Sequence, residues 1–463
     1  MSRVAVVGGG IAGLAAAYAL ATGEHPTEVV LLERDDRLGG KLRTSPFAGH
    51  PAIDEGPDAF LARLPWGTGL ARAVGLGDAL AAPTEGLKAA VYWERLHGIP
   101  EGLFLGMPTD VMAMARSHLM TWPGKLRAAT EPFRRRTSTE ADSLGGYVRA
   151  RFGDEVHLRL VDPLVGSIYA ADTDHFSMQA VPQIAELANK ERSILLAGRK
   201  MPKPASGTAS AAAAGPVFYA PRGGFGQLVD AVATAVRAAG GELRTNAGVN
   251  ELTPDGRGWR VDGEAFDAVV LACPAPAAAN LLRAVPTVPA DAVDTLAAIP
   301  AADVVMVTMA VDKADWPEHL RPYSGYLVPK PQQRLVTAVS FGSQKWAHWA
   351  DERQVILRVS LGRDGLPVLH LSDEQLLAAA VNDVGHHLGL TVQPLHARVS
   401  RWAGAFPQYR PQHAQRIAAV LAALPGGLAL AGAGYHGIGM PACIRSAQQA
   451  AAAATNWLRP VAD

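Results

Sequence analysis

The first thirty residues carry the spacing of a site for a nucleotide pyrophosphate. An apolar run at 4–7 leads into Gly-Gly-Gly-Ile-Ala-Gly at 8–13, which has the form G-x-G-x-x-G, and a stretch rich in Ala and Leu follows. In a strand–loop–helix unit of this kind, the glycines allow a tight turn, a close backbone approach to the phosphates and close packing of helix on strand. The helix N-terminus adds free N–H groups and the positive end of its dipole. The pattern therefore predicts phosphate binding by backbone groups.

An acidic residue, Glu33, completes this unit. It comes directly after a second apolar run at 29–32 and lies 20 positions after Gly13. A carboxylate at this place accepts hydrogen bonds from ribose hydroxyls, and its charge would repel a 2′-phosphate. A secretory signal is the other interpretation of Arg3 followed by apolar residues, but it leaves the second strand and the acid unexplained, and no cleavage region follows. We therefore expect a dinucleotide site.

Three further glycine segments indicate which dinucleotide is bound. Arg-Leu-Gly-Gly-Lys occupies 37–41, Gly-Pro-Asp-Ala occupies 56–59, and a glycine loop at 432–439 stands between a strand-like run and an Ala-rich helix. The first segment resembles the R-x-G-G-[KR] segment of FAD oxidoreductases with the glutathione-reductase-like fold, and this resemblance implies FAD. Many relatives carry an acid where this chain has Ala433, so contacts to the ribityl chain must come from backbone or elsewhere. Two unrelated glycine turns are the alternative explanation of the first two segments.

The bulk composition excludes several other classes of protein. The 463 residues contain 43 basic and 43 acidic side chains, so the net charge does not favour binding to nucleic acid. The two cysteines, Cys273 and Cys443, are too few for a disulfide framework and indicate a reduced interior. No His/Cys cluster has the spacing of a zinc site, and no apolar run reaches ~18 residues. We therefore expect neither a metal nor a transmembrane helix.

The distribution of the flavin segments along the chain predicts a discontinuous fold. We expect the α/β class, in its α+β multi-domain form, with a glutathione-reductase-like Rossmann domain for FAD. A mixed-sheet substrate domain and an inserted helical domain complete the expected architecture. The expected ranges are 1–85, 216–280 and 400–463 for the FAD-binding domain, 86–102 and 281–399 for the substrate-binding domain, and 103–215 for the helical domain.

Five segments that are more specific than the flavin motifs occur together and in order. They are Ile-Asp-Glu-Gly-Pro-Asp-Ala-Phe at 53–60, Ser-Ile-Tyr-Ala-Ala-Asp at 167–172, Arg-Ser-Ile-Leu-Leu at 192–196, Pro-Gln-Tyr at 407–409 with His413, and Tyr-His-Gly-Ile-Gly-Met-Pro-Ala-Cys-Ile at 435–444. Their combination resembles the FAD-dependent protoporphyrinogen/coproporphyrinogen oxidases of haem biosynthesis over essentially the whole chain. Within that family, the sequence is most similar to the monoderm bacterial branch, which oxidises coproporphyrinogen III to coproporphyrin III.

The resemblance implies a six-electron oxidation. Three two-electron steps would each pass a hydride to flavin N5, and dioxygen would reoxidise the flavin with release of hydrogen peroxide. The flavin supplies this chemistry, and the protein positions the substrate and keeps water out of the site. No catalytic residue is assigned, because pyrrole nitrogens can lose protons as the ring tautomers shift. The alternatives are oxidation of protoporphyrinogen IX, a flavin amine oxidase or carotenoid-type desaturase, and a porphyrin-binding flavoprotein without turnover.

The motifs and the resemblance together assign the cofactor-binding residues. Those of the N-terminal unit are Gly8, Gly9, Gly10, Ile11, Ala12, Gly13, Glu33 and Arg34. Those of the later segments are Gly39, Gly40, Lys41, Gly56, Pro57, Asp58, Ala59, Val249, Trp402, Ile438, Gly439 and Met440. Val249 lies in a strand-like stretch where relatives often touch the adenine side. Trp402 resembles a family tryptophan near the flavin, and a core tryptophan is the competing interpretation.

A porphyrinogen needs a flat apolar slot with cationic groups for its carboxylates, and three residues are candidates for binding it. Lys88 precedes an apparent hairpin, where the family has a basic residue that holds a propionate. Arg358 and Ser360 share one face of a candidate strand, because side chains alternate along a strand. A solvated lysine and an exposed polar strand face are the competing interpretations.

A basic stretch from Arg116 to Arg136 contains one acid, Glu131, and interleaved Met, Leu, Trp and Phe residues. Such segments bind anionic membrane surfaces or partners, although a solvated face is the more common origin of the pattern. The expected partners are the porphyrinogen, dioxygen and, transiently, a ferrochelatase, with no nucleic acid and at most a peripheral membrane contact. The expected location is the cytoplasm, including the periphery of the inner face of the membrane.

Overall fold

A five-stranded parallel sheet, the nucleotide sheet, joins the beginning, the middle and the end of the chain. The computed structural model describes residues 2–25, 27–137, 143–198 and 215–459. The spatial order of the strands is Glu242–Arg244, Thr27–Leu32, Ser2–Val7, Ala268–Leu271 and Leu428–Leu430. Segments that lie far apart in the sequence therefore build one nucleotide-binding layer, as the positions of the glycine loops predicted.

Helices and a small antiparallel sheet cover the two faces of the nucleotide sheet. Val4 and Val6 point into the first apolar layer, and Ala5 and Val7 point into the second. The first layer contains the helices Ile11–Ala21, Pro65–Ala73, Gly224–Ala238 and Met440–Leu458. The second contains the strands Leu252–Asp255, Gly258–Val261 and Glu264–Phe266 and the helices Ala275–Leu282, Ala290–Ala297 and His413–Ala422. The sheet is thus buried on both sides, as parallel sheets usually are.

A second sheet, the large sheet, has seven strands. Their order is Pro394–Pro407, Ala301–Asp312, Gln354–Leu361, Val336–Phe341, Tyr323–Leu327, Lys88–Trp93 and Arg95–Gly98. Neighbouring strands are antiparallel except for Tyr323–Leu327 and Lys88–Trp93, which are parallel. The sheet is therefore mixed, as expected for the substrate-binding part.

The helix Asp373–Leu388 covers one face of the large sheet. Side chains from alternate strand positions, such as Val305, Tyr326 and Leu357, pack beneath it in one apolar cluster. We call this side the helix-covered face. We call the opposite side, which carries Met306 and its neighbours, the open face.

The segment between the large-sheet hairpin and residue 198 is mainly helical. Its helices are Val111–Arg116, Trp122–Ala129, Leu144–Phe152, Asp154–Val156, the π-helical His157–Gly166, Ser167–Tyr169, Pro182–Lys190 and Ile194–Gly198, with 3₁₀ turns at Glu131–Phe133 and Met178–Ala180. These elements share one apolar core with Val91 of the large sheet. Within the expected range 103–215, residues 138–142 and 199–214 lie outside the described residues.

Short elements connect these layers. Strand Thr44–Phe47 pairs with His50–Asp54, Leu103–Phe104 pairs with Met107–Pro108, and Phe218–Pro221 pairs with both Phe60–Leu61 and Leu80–Ala81. Single helical turns occur at Gly77–Ala79, Lys313–Asp315, Glu318–Leu320, Lys330–Gln332, Gly342–Lys345 and Ala347–Trp349. Among the described residues, none of the helices combines the length and the apolar character needed to cross a bilayer.

The strand Pro394–Pro407 crosses the domain boundary expected at residue 400. It pairs with Ala301–Asp312 along its length, from Pro394 to Pro407. Because a ladder to one neighbour holds the whole strand in the large sheet, we place the boundary of the proposed division after Pro407.

A buried ion pair holds the helical region together. Glu131, the acid of the basic stretch, pairs with Arg151, and neither side chain is more than 2% exposed. The same carboxylate accepts hydrogen bonds from the Ser193 hydroxyl and from the backbone N–H groups of Ile194 and Leu195. One buried carboxylate thus joins three helical segments that are distant in sequence.

Replacing Glu131 with alanine should destabilise the protein by about 3–5 kcal/mol, because Arg151 would remain buried and charged without its partner. Urea unfolding of the FAD-loaded protein measures this change. Glu186→Ala is the matched control, since Glu186 is 68% exposed and its ion pair with Lys190 spans 3.6 Å. The control should change stability by less than about 0.5 kcal/mol. Equal losses in the two variants would contradict the stabilising role of the pair.

Candidate functional site

The first glycine loop leaves backbone N–H groups facing open space. Gly8 has a φ of +108°, and a Cβ atom at Gly13 would lie 1.8 Å from the Gly8 carbonyl oxygen, so both positions require glycine. Helix Ile11–Ala21 begins after Gly10 with no side-chain cap. A Cβ atom at Gly10 would meet no atom within 4 Å. An uncapped helix N-terminus therefore faces an open space, as a pyrophosphate site requires.

Glu33 is buried and braces this loop. One carboxylate oxygen accepts a hydrogen bond from the Gly9 N–H at 2.6 Å, and the other accepts from the Asp35 N–H at 2.9 Å. Each oxygen keeps a second lone pair that can accept from a ribose hydroxyl. The Ala247 N–H donates to the Glu33 carbonyl at 2.8 Å, which brings the segment of Val249 to the same edge of the nucleotide sheet.

The second glycine segment lies directly against the first. The Gly39 N–H donates to the Gly9 carbonyl at 2.8 Å. A Cβ atom at Gly40 would lie 3.2 Å from the Gly10 Cα, and φ is +101° at Gly39 and +56° at Gly40. These close approaches explain why paired glycines stand here.

The C-terminal glycine loop supplies a second uncapped helix N-terminus. Helix Met440–Leu458 begins after Gly439, which has a φ of +100° and no side-chain cap. The Tyr409 hydroxyl donates to the Ala433 carbonyl at 2.6 Å and accepts from the Gly437 N–H at 2.9 Å. The loop that lacks the usual acid is therefore braced through its backbone by Tyr409.

Buried charges attach the Gly-Pro-Asp-Ala segment to the large sheet. Asp58 pairs with Lys345 and Arg358, each at 3.2 Å, and accepts a hydrogen bond from Trp346 Nε1 at 3.1 Å. Burial alone would raise the pKa of Asp58, but the two cations outweigh it and hold that pKa well below its usual range. Arg358 also donates to the Gly56 carbonyl. This segment cannot shift without breaking a buried charge cluster.

Trp402 lies against the same segment from the edge strand Pro394–Pro407 of the large sheet. Its Nε1 donates to the Glu55 carbonyl at 3.0 Å, and its ring carbon Cζ2 would lie 3.5 Å from a Cβ atom at Gly56. The indole is half-buried. It borders the Gly56 backbone, and its contact with a flavin stays a prediction.

These features fit FAD. Helix N-termini at Gly10 and Gly439 can face the phosphates and the flavin end, and the Glu33 carboxylate can hold a ribose. The side chains of Arg34 and Lys41 are exposed beside the glycine loops and can offset phosphate charge. The other assigned positions occupy the same elements: Ile11 and Ala12 in the first helical turn, Pro57 and Ala59 on either side of Asp58, and Ile438 and Met440 on either side of Gly439.

The open face of the large sheet carries a row of partly exposed side chains. Met306, Ser360, Ala338 and Leu327 are register partners on four adjacent strands, and each is only partly buried. Solvent therefore reaches the centre of this face, although the centre of a sheet is normally covered. Arg358 precedes Ser360 by two residues on the same face, so the row lies next to the Gly56 segment. We call the space over these four residues the slot.

The structure places Arg358 and Ser360 on the open face, as strand alternation predicted. Arg358 is 4% exposed, and its Nη atoms contact Asp58 and the Gly56 carbonyl. The guanidinium therefore binds the protein's own carboxylate, and its contact with a propionate stays a prediction. Ser360 is partly exposed and remains a candidate.

The proposed role of Lys88 stays a prediction. Lys88 is an exposed residue at the start of the strand Lys88–Trp93, where the pairing with Tyr323–Leu327 has a register shift. Further along the strand, Ala90 and Tyr92 pack on the helix-covered face, whereas Val91 packs against the helical region.

Sequence reasoning missed the charges that attach the helical region to the large sheet. Arg363 pairs with Asp162 of the π-helical segment at 2.9 Å, and neither side chain is more than 4% exposed. Burial would raise the pKa of Asp162, but Arg363 outweighs it and lowers that pKa. Lys330 pairs with Asp172 at 2.6 Å. Asp172 ends a family-like segment, yet no local signal indicates its partner.

Comparison with known proteins extends over nearly all of the chain. Residues 11–455 match the family described as flavin containing amine oxidoreductase. The chain is 36% identical to the coproporphyrinogen III oxidase of Mycobacterium tuberculosis (strain ATCC 25618 / H37Rv), over 96% of this chain and 95% of the relative. It is 30% identical to the coproporphyrinogen III oxidase of Bacillus subtilis (strain 168), over 98% of each chain. It is 29% identical to the protoporphyrinogen oxidase of Bos taurus, over 97% of each chain.

Solved structures agree with these similarities. A crystal structure from Exiguobacterium sp. 255-15 has a TM-score of 0.84 at 29% identity and covers 99% of both chains. Cyclohexylamine oxidase from Brevibacterium oxydans IH-35A has a TM-score of 0.66 at 17% identity, covering 99% of this chain and 100% of that one, and shows a shared fold. The predicted resemblance and the predicted FAD-binding fold are confirmed. The chain belongs to the family of flavin-containing amine oxidoreductases.

Proposed function

We propose that this protein oxidises coproporphyrinogen III to coproporphyrin III with FAD as cofactor and dioxygen as electron acceptor, releasing hydrogen peroxide. The observation that carries the proposal is the slot, a flat row of uncharged side chains beside the Gly56 segment. A flat macrocycle can lie on a sheet face of this kind. The names of the full-length bacterial relatives favour the copro substrate.

In this proposal the chain's own residues position the substrate and exclude water from the site. FAD, when bound, accepts the hydride that leaves a bridging carbon. Hydride transfer needs the donor carbon to approach the flavin to about 3–3.5 Å in an aligned pose, so the protein around the slot must be rigid. Asp58 and its partners fix one wall, and the buried Arg363–Asp162 pair fixes the helical region at the strand ends. Met306 and Leu327 exclude water from the macrocycle face.

Protoporphyrinogen IX is the second candidate substrate. It carries two vinyl groups in place of two propionate side chains, and the name of the bovine relative favours it. Binding of a substrate carboxylate by Lys88, Arg358 or Ser360 is part of this proposal and would favour the copro substrate. A cytoplasmic location and transient delivery of product to a ferrochelatase belong to the same proposal.

The direct test uses purified protein loaded with FAD. Coproporphyrinogen III or protoporphyrinogen IX is added in air, and porphyrin fluorescence and hydrogen peroxide are followed together. We expect fluorescence growth well above the spontaneous rate, three peroxide molecules per porphyrin, and a higher kcat/KM for the copro substrate. Oxidation no faster than the protein-free blank would reject the enzymatic function.

Asp58→Asn should weaken FAD retention and lower kcat/KM by about 10- to 100-fold, because the buried Arg358 and the partly buried Lys345 lose their counter-charge and the Gly56 segment loosens. Flavin absorbance after gel filtration and steady-state kinetics measure the two effects. Asp315→Asn is the control, since Asp315 is exposed in a short turn. Unchanged flavin content and kinetics in Asp58→Asn would show that the charge cluster contributes neither to FAD binding nor to turnover.

Ala338→Trp should fill the slot and abolish most porphyrinogen oxidation while leaving flavin content unchanged, because Ala338 is at the centre of the row. Asp315→Trp, in an exposed turn, is the matched control and should retain normal KM. Normal turnover in the Ala338 variant would place the substrate elsewhere.

A further inference from the structure

A basic groove lies at the outer edge of the large sheet. It occupies ≈ 510 Å³ between the edge strand Arg95–Gly98 and the helix Val111–Arg116. Its charged and titratable lining residues are Arg95, His97, Arg116, His118 and one acid, Glu101. Pro100 and Ala113 contribute apolar wall. The groove therefore combines a cationic rim with an apolar surface.

The cationic side chains of the groove have no ion-pair partner among the described residues, although Glu101 also lines the groove. Arg95, Arg116 and His118 are exposed, and none of their side chains forms a hydrogen bond or ion pair with another described residue. His97 is half-buried and contacts the Trp93 carbonyl through Nε2 at 3.2 Å. Burial lowers the pKa of His97, and the charges of Arg95 and His118 lower it further. An anionic ligand would relieve this repulsion.

The groove and the slot lie on the same face of the large sheet. His97 is paired with Val91, Val91 with Leu327, Leu327 with Ala338, and Ala338 with Ser360. Two strand spacings, roughly 10 Å, separate His97 from Leu327 at the near end of the slot, and four spacings, roughly 19 Å, separate it from Ser360. Val91 is buried under the helical region between the two sites. A ligand in the groove is therefore separate from a ligand in the slot.

We propose that this groove is a second binding site for a flat polycarboxylate, namely the porphyrin product with its propionate groups. The cationic rim suits several carboxylates at once, and the apolar wall suits an aromatic body rather than a small hydrated anion. The identity of the ligand rests on the proposed function, since that reaction produces an anionic tetrapyrrole. Porphyrin that leaves the slot would bind to the cationic side chains at the edge of the same sheet.

The test titrates FAD-loaded protein with coproporphyrin III and follows porphyrin fluorescence anisotropy. Ala338→Trp serves as the background, because it blocks the slot and leaves the groove. We expect one bound porphyrin in this background, with an affinity that falls as salt rises. Adding Arg95→Glu and Arg116→Glu should weaken binding by at least about tenfold. Adding Arg134→Glu and Arg135→Glu, exposed cations outside the groove, should change it by less than about twofold.

Two outcomes overturn the proposal: equal weakening in both pairs of variants, and equally tight binding of the uncharged porphyrin tetramethyl ester. Flavin content and unfolding midpoints show whether the charge-reversed protein is folded. If it is not, Arg95→Gln with Arg116→Gln replaces it and should weaken binding by about threefold or more. Turnover of coproporphyrinogen by wild-type protein is measured separately. Groove binding without turnover would reject the proposed function alone, and turnover without groove binding would reject the groove alone.

Discussion

The buried carboxylate of Asp58 is the interaction on which the rest of the site depends. Removing a charged carboxylate from water costs several kcal/mol unless it is paired and hydrogen-bonded, and Asp58 obtains both from Lys345, Arg358 and Trp346. Those partners belong to the large sheet and the turn behind it, whereas Asp58 follows the nucleotide-binding elements. The pairing therefore fixes the two sheets in one relative position, with Gly56 beside the open face. A bound flavin and the slot can be neighbours only in that arrangement.

Buried ion pairs also hold the helical region in place. Its internal pair, Glu131 with Arg151, fixes three of its segments, and its external pair, Asp162 with Arg363, fixes it against the large sheet. Removing one member of either pair would leave an uncompensated buried charge, which is far costlier than losing an exposed ion pair. The walls around the slot are therefore held by charge pairing as well as by apolar packing. Such rigidity suits a reaction in which the protein contributes placement and exclusion of water rather than a reactive side chain.

Local chemistry was predictable from the sequence, and long-range pairing was not. The glycine loops at 8–13 and 39–40 could be located because their backbone approaches tolerate only glycine. The strand alternation of residues 358–360 predicted their shared face correctly. The partner of Arg358, however, lies about three hundred residues earlier in the chain. Lys88 has the spacing of an anchor, but the face it occupies depends on pairing with strands far along the sequence, which its own hairpin does not encode.

The open face carries a row of polar groups beside the slot. Thr308, Arg358 and Ser340 are register partners, and Thr308 Oγ1, Arg358 Nε and Ser340 Oγ are buried without a hydrogen-bond partner in the part of the chain that the structure describes. Unpaired buried polar groups cost about 1–3 kcal/mol each, so water or a polar ligand group belongs at this row. Two residues further along the strands, about 6.6 Å away, Met306 and Ala338 are apolar. Thr308 and Arg358 are at most 4% exposed, so the protein covers this polar row, whereas the row of Met306, Ser360 and Ala338 is partly exposed. A macrocycle on the exposed row would therefore have the buried polar row along one edge.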